Sequence, residues 1–234
     1  MSLVITLYVR EGIVMAADSR ATLNMVKREG EIQRVDLSVA QSDTVRKLFL
    51  FEDRIGISAF GEAAIDGVPI SGYMDSFIAG LKSGGGVGEI ARNLLDFFSA
   101  FHNKPKTGFH VSGYDGEEPL VYQVLIDRAE VKRINPAGAQ GAAWAGESDI
   151  LTRLLQPLYE KRNKEFVPLP YFQIPWGFFT LQDAVDFARF ALRTTADSIR
   201  FMPRPKTVGG PIDVLVITPE KGFWVSRKEL NLAY

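Results

Sequence analysis

The residues best placed to do chemistry are an acid and a base at the ends of apolar runs. Asp18 closes the run Gly12 to Ala17 in the stretch GIVMAADSRAT and is followed by Ser19 and Arg20, while Lys47 opens the run KLFLF. A charge carried to the end of a buried strand must be paired or hydrogen-bonded, or it destabilises the fold. Two arrangements satisfy that demand. Asp18 and Arg20 form a structural ion pair at a strand end, with Lys47 a solvated edge lysine. Alternatively Asp18 and Lys47 meet and build a polar site. Gly61 directly follows the apolar run Arg54 to Phe60, as a turn glycine with positive φ would. Ser2 is small enough for Met1 to be removed before it. His102 and His110 stand eight apart without ligand-like partners, so no metal site is expected.

The elements that must position these residues follow from periodicity and punctuation. Leu3 to Val9 and Gly12 to Ala17 are β-rich runs broken at Arg10 and Glu11, a hairpin pattern. Residues 23–44 are polar and mixed, and are expected to form an extended hairpin or a loop insertion. Lys47 to Phe51 and Arg54 to Phe60 make a second strand pair. Ala63 to Leu81 reads as a helix weakened by Gly67, Pro69 and Gly72, and Val87 to Phe101 as a second, with Ile90, Leu94, Leu95 and Phe98 on one face. Residues 109–127 hold two strands around a Gly-containing turn, with further strands at Val131 to Ile134 and Ala142 to Ala145. Ser148 to Arg162 reads as a helix, and residues 163–179 as a loop rich in proline and aromatics, a candidate subunit contact. Thr180 caps a long helix reaching about Arg200. Ile212 to Thr218 and Gly222 to Ser226 close the chain as a hairpin. Segregated runs of strands and helices imply an α+β protein, and the 234 residues are expected to form a single domain.

Composition narrows the function classes. A net charge of -1 gives no electrostatic case for nucleic acid or an anionic membrane. No apolar run approaches the about 20 residues of a membrane span, and the start lacks the pattern of a signal peptide. The absence of cysteine excludes disulfides, cysteine zinc sites and cysteine nucleophiles, and fits a cytoplasmic protein.

Taken in order, GIVMAADSRAT, RKLFLFEDRIGISAFG (46–61), VSGYDGEEPLVYQV and GGPIDVLVIT (209–218) resemble the proteasome β-type branch of the N-terminal nucleophile (Ntn) hydrolases. The likeness spans most of the chain. It implies the four-layer αββα sandwich and amide-bond hydrolysis, with a peptide or amide as substrate, without metal or cofactor. The nucleophile position falls on Ser2, exposed by removal of Met1, with its own α-amine, of pKa near ~8, as the base. Asp18 and Lys47 match the acid and lysine around that nucleophile, Lys47 favouring ionisation of the hydroxyl and Asp18 holding Lys47 charged. Gly61 matches the glycine whose N–H stabilises the oxyanion, and Ala21 and Thr22 match positions that pair with an extended substrate. The same resemblance implies a ring-like homo-oligomer.

The chain departs from the pattern in three places. The nucleophile is serine rather than threonine. Aligned without gaps, Pro205 and Val208 occupy positions where the family has Asp and Ser, and neither can orient an amine. The family's Gly-Ser-Gly element reads WAGESD, residues 144–149. Ser148 and Asp197 are the candidates to take over these roles. The departures keep a second expectation open, a catalytically inactive proteasome-like scaffold or binding subunit.

Overall fold

A computed structural model of the chain describes residues 2–29, 32–102 and 104–229. Its strands show why apolar runs without polar alternation occur here. Strands β1 (Leu3–Val9) and β2 (Gly12–Ala17) pair antiparallel and are buried along their whole length. Successive side chains point to opposite faces, so both faces must be covered. Leu3, Ile5, Leu7, Val14 and Ala16 enter one apolar cluster, whereas Val4, Tyr8, Ile13, Met15 and Ala17 enter another.

The remaining elements follow in chain order. Strands β3 (Ala21–Glu29) and β4 (Ile32–Ser42) pair antiparallel as a separate two-stranded sheet, with residues 30 and 31 outside the described residues. Then come β5 (Leu48–Phe51), β6 (Ile55–Gly61), the short β7 (Ala64–Ile65) and β8 (Val68–Pro69), and helices α1 (Ile70–Gly80) and α2 (Val87–Ser99). Strands β9 (Thr107–Asp115), β10 (Glu118–Leu125), β11 (Glu130–Arg133) and β12 (Gly141–Gly146) lead to helix α3 (Asp149–Leu155). The hairpin β13 (Tyr159–Arg162) and β14 (Glu165–Pro168), helix α4 (Leu181–Arg200), and strands β15 (Asp213–Ile217) and β16 (Gly222–Ser226) complete it.

Two five-stranded sheets carry the fold, in the orders β12-β1-β2-β15-β16 and β11-β10-β9-β6-β5. Together with the four helices they make a mixed α+β protein. Helices α1 and α2 place Met74, Leu94 and Phe98 against Ile57, Phe109, Val111 and Val124 of the second sheet. Helices α3 and α4 place Leu151, Ala188 and Leu192 against Ile5, Leu7, Val14 and Val216 of the first. A third cluster joins strands of the two sheets directly, with Val4, Met15 and Leu215 against Leu48 and Val121.

Two helices are shorter than the sequence suggests, both because of proline. The helix expected from Ala63 starts only at Ile70. Asp66 and Gly67 turn with φ of 48° and 79° to close the β7–β8 hairpin, and Pro69 stands at the N-cap. The helix expected over 148–162 ends at Leu155. Gln156 is extended, as the residue before Pro157 prefers, and the chain then forms the β13–β14 hairpin around Asn163 at φ 58°. The segment 163–179 is therefore partly ordered, with β14 and a single 3-10 turn at Trp176–Phe178. The Thr180 cap is as expected: its hydroxyl accepts from Asp183 N–H while the Asp183 carboxylate accepts from Thr180 N–H.

Candidate functional site

Asp18 lies one residue past β2, where β1, β2 and the chain ahead of β15 converge. Its carboxylate accepts four N–H donors. Leu3 N (3.0 Å) and Lys47 Nζ (2.8 Å) meet Oδ1, and Arg20 N (3.0 Å) and Gly209 N (3.1 Å) meet Oδ2. Lys47 Nζ donates also to the Arg20 carbonyl at 2.5 Å. Both residues are only 1% exposed. Lys47 is anchored ahead of β5, its carbonyl taking Ala59 N–H at 2.8 Å, so its side chain reaches from the second sheet to the edge of the first. Burial pulls the Lys47 ammonium below its ordinary range, and the charge and hydrogen bond of Asp18 pull it back.

This geometry replaces the ion pair of Asp18 with Arg20. The Arg20 guanidinium instead grips Asp43 bidentately at 2.7 Å and 2.7 Å, which pushes the guanidinium up and holds the Asp43 carboxyl below its usual range. Lys47 is likewise no solvated edge lysine.

Ser2 sits beside the pair and is 2% exposed, its neighbour Leu3 being bound to Asp18. Met1 lies outside the described residues. The Ser2 carbonyl accepts Glu147 N–H at 2.8 Å. The approach requires glycine at 146, where φ is +95° and a Cβ would stand 1.8 Å from the Ser2 carbonyl oxygen. Gly61 ends β6 at φ +93°, opposite Thr107, with no room for a Cβ beside the Lys106 carbonyl. Ala21 and Thr22 open β3, half-buried. Their strand has one neighbour, β4, so among the described strands its other edge is unpaired.

The tentative candidates fall elsewhere. Ser148 is half-buried at the N-cap of α3 and makes no side-chain cap. Asp197 is exposed on α4 and makes none of the hydrogen bonds that hold Asp18 or Lys47. Val208 packs in the α4 cluster. Sequence reasoning passed over Glu147 and Thr207. The Glu147 carboxylate is buried, takes the Thr207 hydroxyl at 2.7 Å and pairs with Arg204 at 2.5 Å. The available signal was a lone acid between strand and helix in WAGESD and a threonine two residues before Gly209. A second buried ion pair, Asp213 with Lys228, stands where β15 meets Ala17 of β2.

His110 is buried apart from this cluster, its Nδ1 3.1 Å from the Thr6 hydroxyl, and burial lowers its pKa to about 4. Among the described residues, no group of three or more His, Cys, Asp or Glu is placed to hold a metal ion, and no helix is long and apolar enough to cross a membrane. Compared with known proteins, the chain matches no family model and no curated protein.

Proposed function

We propose that the chain is an amide hydrolase of the N-terminal nucleophile type, a proteasome-like peptidase with Ser2 as nucleophile. The observation that carries this reading is the buried Lys47 ammonium, held between the Arg20 carbonyl and the Asp18 carboxylate, which also takes the N–H of Leu3, the residue after Ser2. A lysine kept there lowers the cost of ionising a neighbouring hydroxyl. Three apolar clusters, one on the outer face of each sheet and one between the sheets, support the αββα sandwich of that class.

In the proposed reaction Met1 is removed and the Ser2 α-amine takes the proton of its hydroxyl. Oγ then attacks the substrate carbonyl, and the oxyanion is met by the Gly61 N–H. Collapse transfers the amine proton to the leaving nitrogen and leaves an ester on Ser2, which water cleaves with the same amine as base. The substrate lies as an added strand along Ala21 and Thr22, for which the unpaired edge of β3 is suited. Exposed Phe166, Tyr171, Phe172 and Phe178 support self-association through the segment after α3.

The test is intact mass and N-terminal sequencing after exposure to an epoxyketone or β-lactone probe. Loss of Met1 with an adduct on Ser2, abolished in Lys47→Ala, is the expected result. Retention of Met1, or a free Ser2 that neither probe labels, overturns it. A second reading, an inactive scaffold on the same fold, is favoured by Pro205 and by Val208 in the α4 cluster, where the family has polar residues.

A further inference from the structure

A cavity of about 680 Å³ opens between α4 and the segment from Lys206 to Ile212. Five cationic side chains and two carboxylates line it. Two of the cations are engaged: Arg20 with Asp43, and Lys206, whose ammonium donates to the carbonyls of Ile199 and Met202 at the end of α4. Of the carboxylates, Asp18 is already saturated by its four donors, which leaves Asp197. Arg189, Arg193 and Arg200 remain, the last with its guanidinium 5.5 Å above the Phe201 ring. They follow one another at helical spacings of four and seven residues, so they share a stripe of α4 that spans ~16 Å. Among the described residues none of the three forms an ion pair. Leu192, Ala196, Val208 and Ile212 supply an apolar floor.

Three guanidiniums face the concavity against the single carboxylate of Asp197, and this surplus of positive charge attracts an anion. The stripe is too long for a single carboxylate. A guanidinium presents a planar fork of donors that matches phosphoryl oxygens two at a time. The volume is that of a small-molecule site. From these features we infer that the cavity binds a polyphosphate chain, either inorganic or that of a nucleotide, along Arg189, Arg193 and Arg200. The inference does not depend on hydrolase activity. The pocket shares a wall with the Asp18 cluster, because Gly209 N–H binds Asp18 and the Gly209 carbonyl accepts Ser19 N–H at 3.0 Å.

The test is calorimetric titration of the full chain with inorganic tripolyphosphate and, separately, with ATP, at about 0.15 M salt where exposed charges are screened. Saturable binding of one ligand per chain is expected, weakened about a hundredfold in the double variant Arg189→Ala/Arg193→Ala, since each lost charge-assisted contact carries about tenfold. Arg153→Ala, on α3 and outside the cavity, should bind as the unaltered chain does. Circular dichroism checks that the variants are folded. Tighter binding of ATP assigns a nucleotide to the apolar floor, and equal binding assigns the phosphate chain alone. No saturable binding of either probe overturns the inference, as does a double variant that binds as well as the unaltered chain or an Arg153→Ala that weakens binding equally.

Discussion

Asp18→Asn should destabilise the protein more than Lys47→Met, although both break the same ion pair. Each Asp18 oxygen serves two donors, Leu3 N and Lys47 Nζ on one, Arg20 N and Gly209 N on the other. Asparagine has one oxygen, so either orientation turns its NH₂ toward two donors and leaves them unmet. A buried donor without a partner costs about 1–3 kcal/mol, and stranding one member of a buried pair costs about 3–5 kcal/mol. With the NH₂ toward Leu3 N and Lys47 Nζ, Lys47 would keep only the Arg20 carbonyl; with it toward Arg20 N and Gly209 N, two backbone donors would be left unmet. A loss of about 5 kcal/mol follows for Asp18→Asn. In Lys47→Met the carboxylate keeps three backbone donors and methionine fills the volume, so the loss falls to the lower end, about 3 kcal/mol. Urea unfolding followed by circular dichroism measures both, with the slope m checking that each transition stays two-state. An Asp18→Asn variant unfolded at 25 °C beside a folded Lys47→Met agrees with the argument. The reverse order, or equal losses, refutes it, because the backbone donors would then not be what holds the carboxylate.

Burial lowers the His110 pKa from 6.5 to about 4, so below pH 6.5 the unfolded chain binds a proton that the folded chain refuses. Stability should fall by about 3 kcal/mol from pH 7 to pH 4 through this group, and unfolding midpoints of His110→Gln across that range should lack that component. Gly146→Ala should cost about 3 kcal/mol or more, because its Cβ would overlap the Ser2 carbonyl at φ +95°, whereas Gly67→Ala, with φ +79° and open space around it, should cost about 1 kcal/mol in thermal melts. Arg204→Gln should move the acid limb of the proposed peptidase pH profile upward by about one unit, by leaving the Glu147 charge unbalanced.

The parts of this structure legible in the sequence are those that local pattern decides. The apolar runs at Leu3 and Gly12 declare strands covered on both faces, and Thr180 with Asp183 declares a helix start. Both shortened helices carried their own warning in Pro69 and Pro157, where a missing N–H and a restricted preceding residue outweigh an otherwise helical composition. Position at the ends of apolar runs marked Asp18 and Lys47 as charges in need of partners, and the resemblance singled out their pairing, which the structure shows. The other partners that define their chemistry were not legible. Gly209 N–H reaches Asp18 across 191 residues, and Glu147 reaches Thr207 across 60. Such bonds depend on how the two sheets stack, which no local spacing records. Arg20 misleads in the same way: it stands two residues from Asp18 in sequence, yet its guanidinium grips Asp43, 23 residues on, bidentately.

Among the described residues, three buried acids in this part of the fold each have a cationic partner. Asp18 meets Lys47, Glu147 meets Arg204, and Asp213 meets Lys228. This balance bears on the proposed peptidase, whose resemblance would put polar residues at positions 205 and 208. Pro205 and Val208 cannot hold an amine, but Glu147 is bound through its own N–H to the Ser2 carbonyl, and Thr207 lies on its carboxylate. A carboxylate alone beside a terminal amine would hold that amine charged and useless as a base. Arg204 pairs with Glu147, so under the proposed function that carboxylate is not free to hold an α-ammonium at Ser2. Under the proposed function, the cluster of Glu147, Arg204 and Thr207 would suit a terminal base at Ser2 as well as a structural clasp. What separates the two is whether the first residue of the working protein is Ser2.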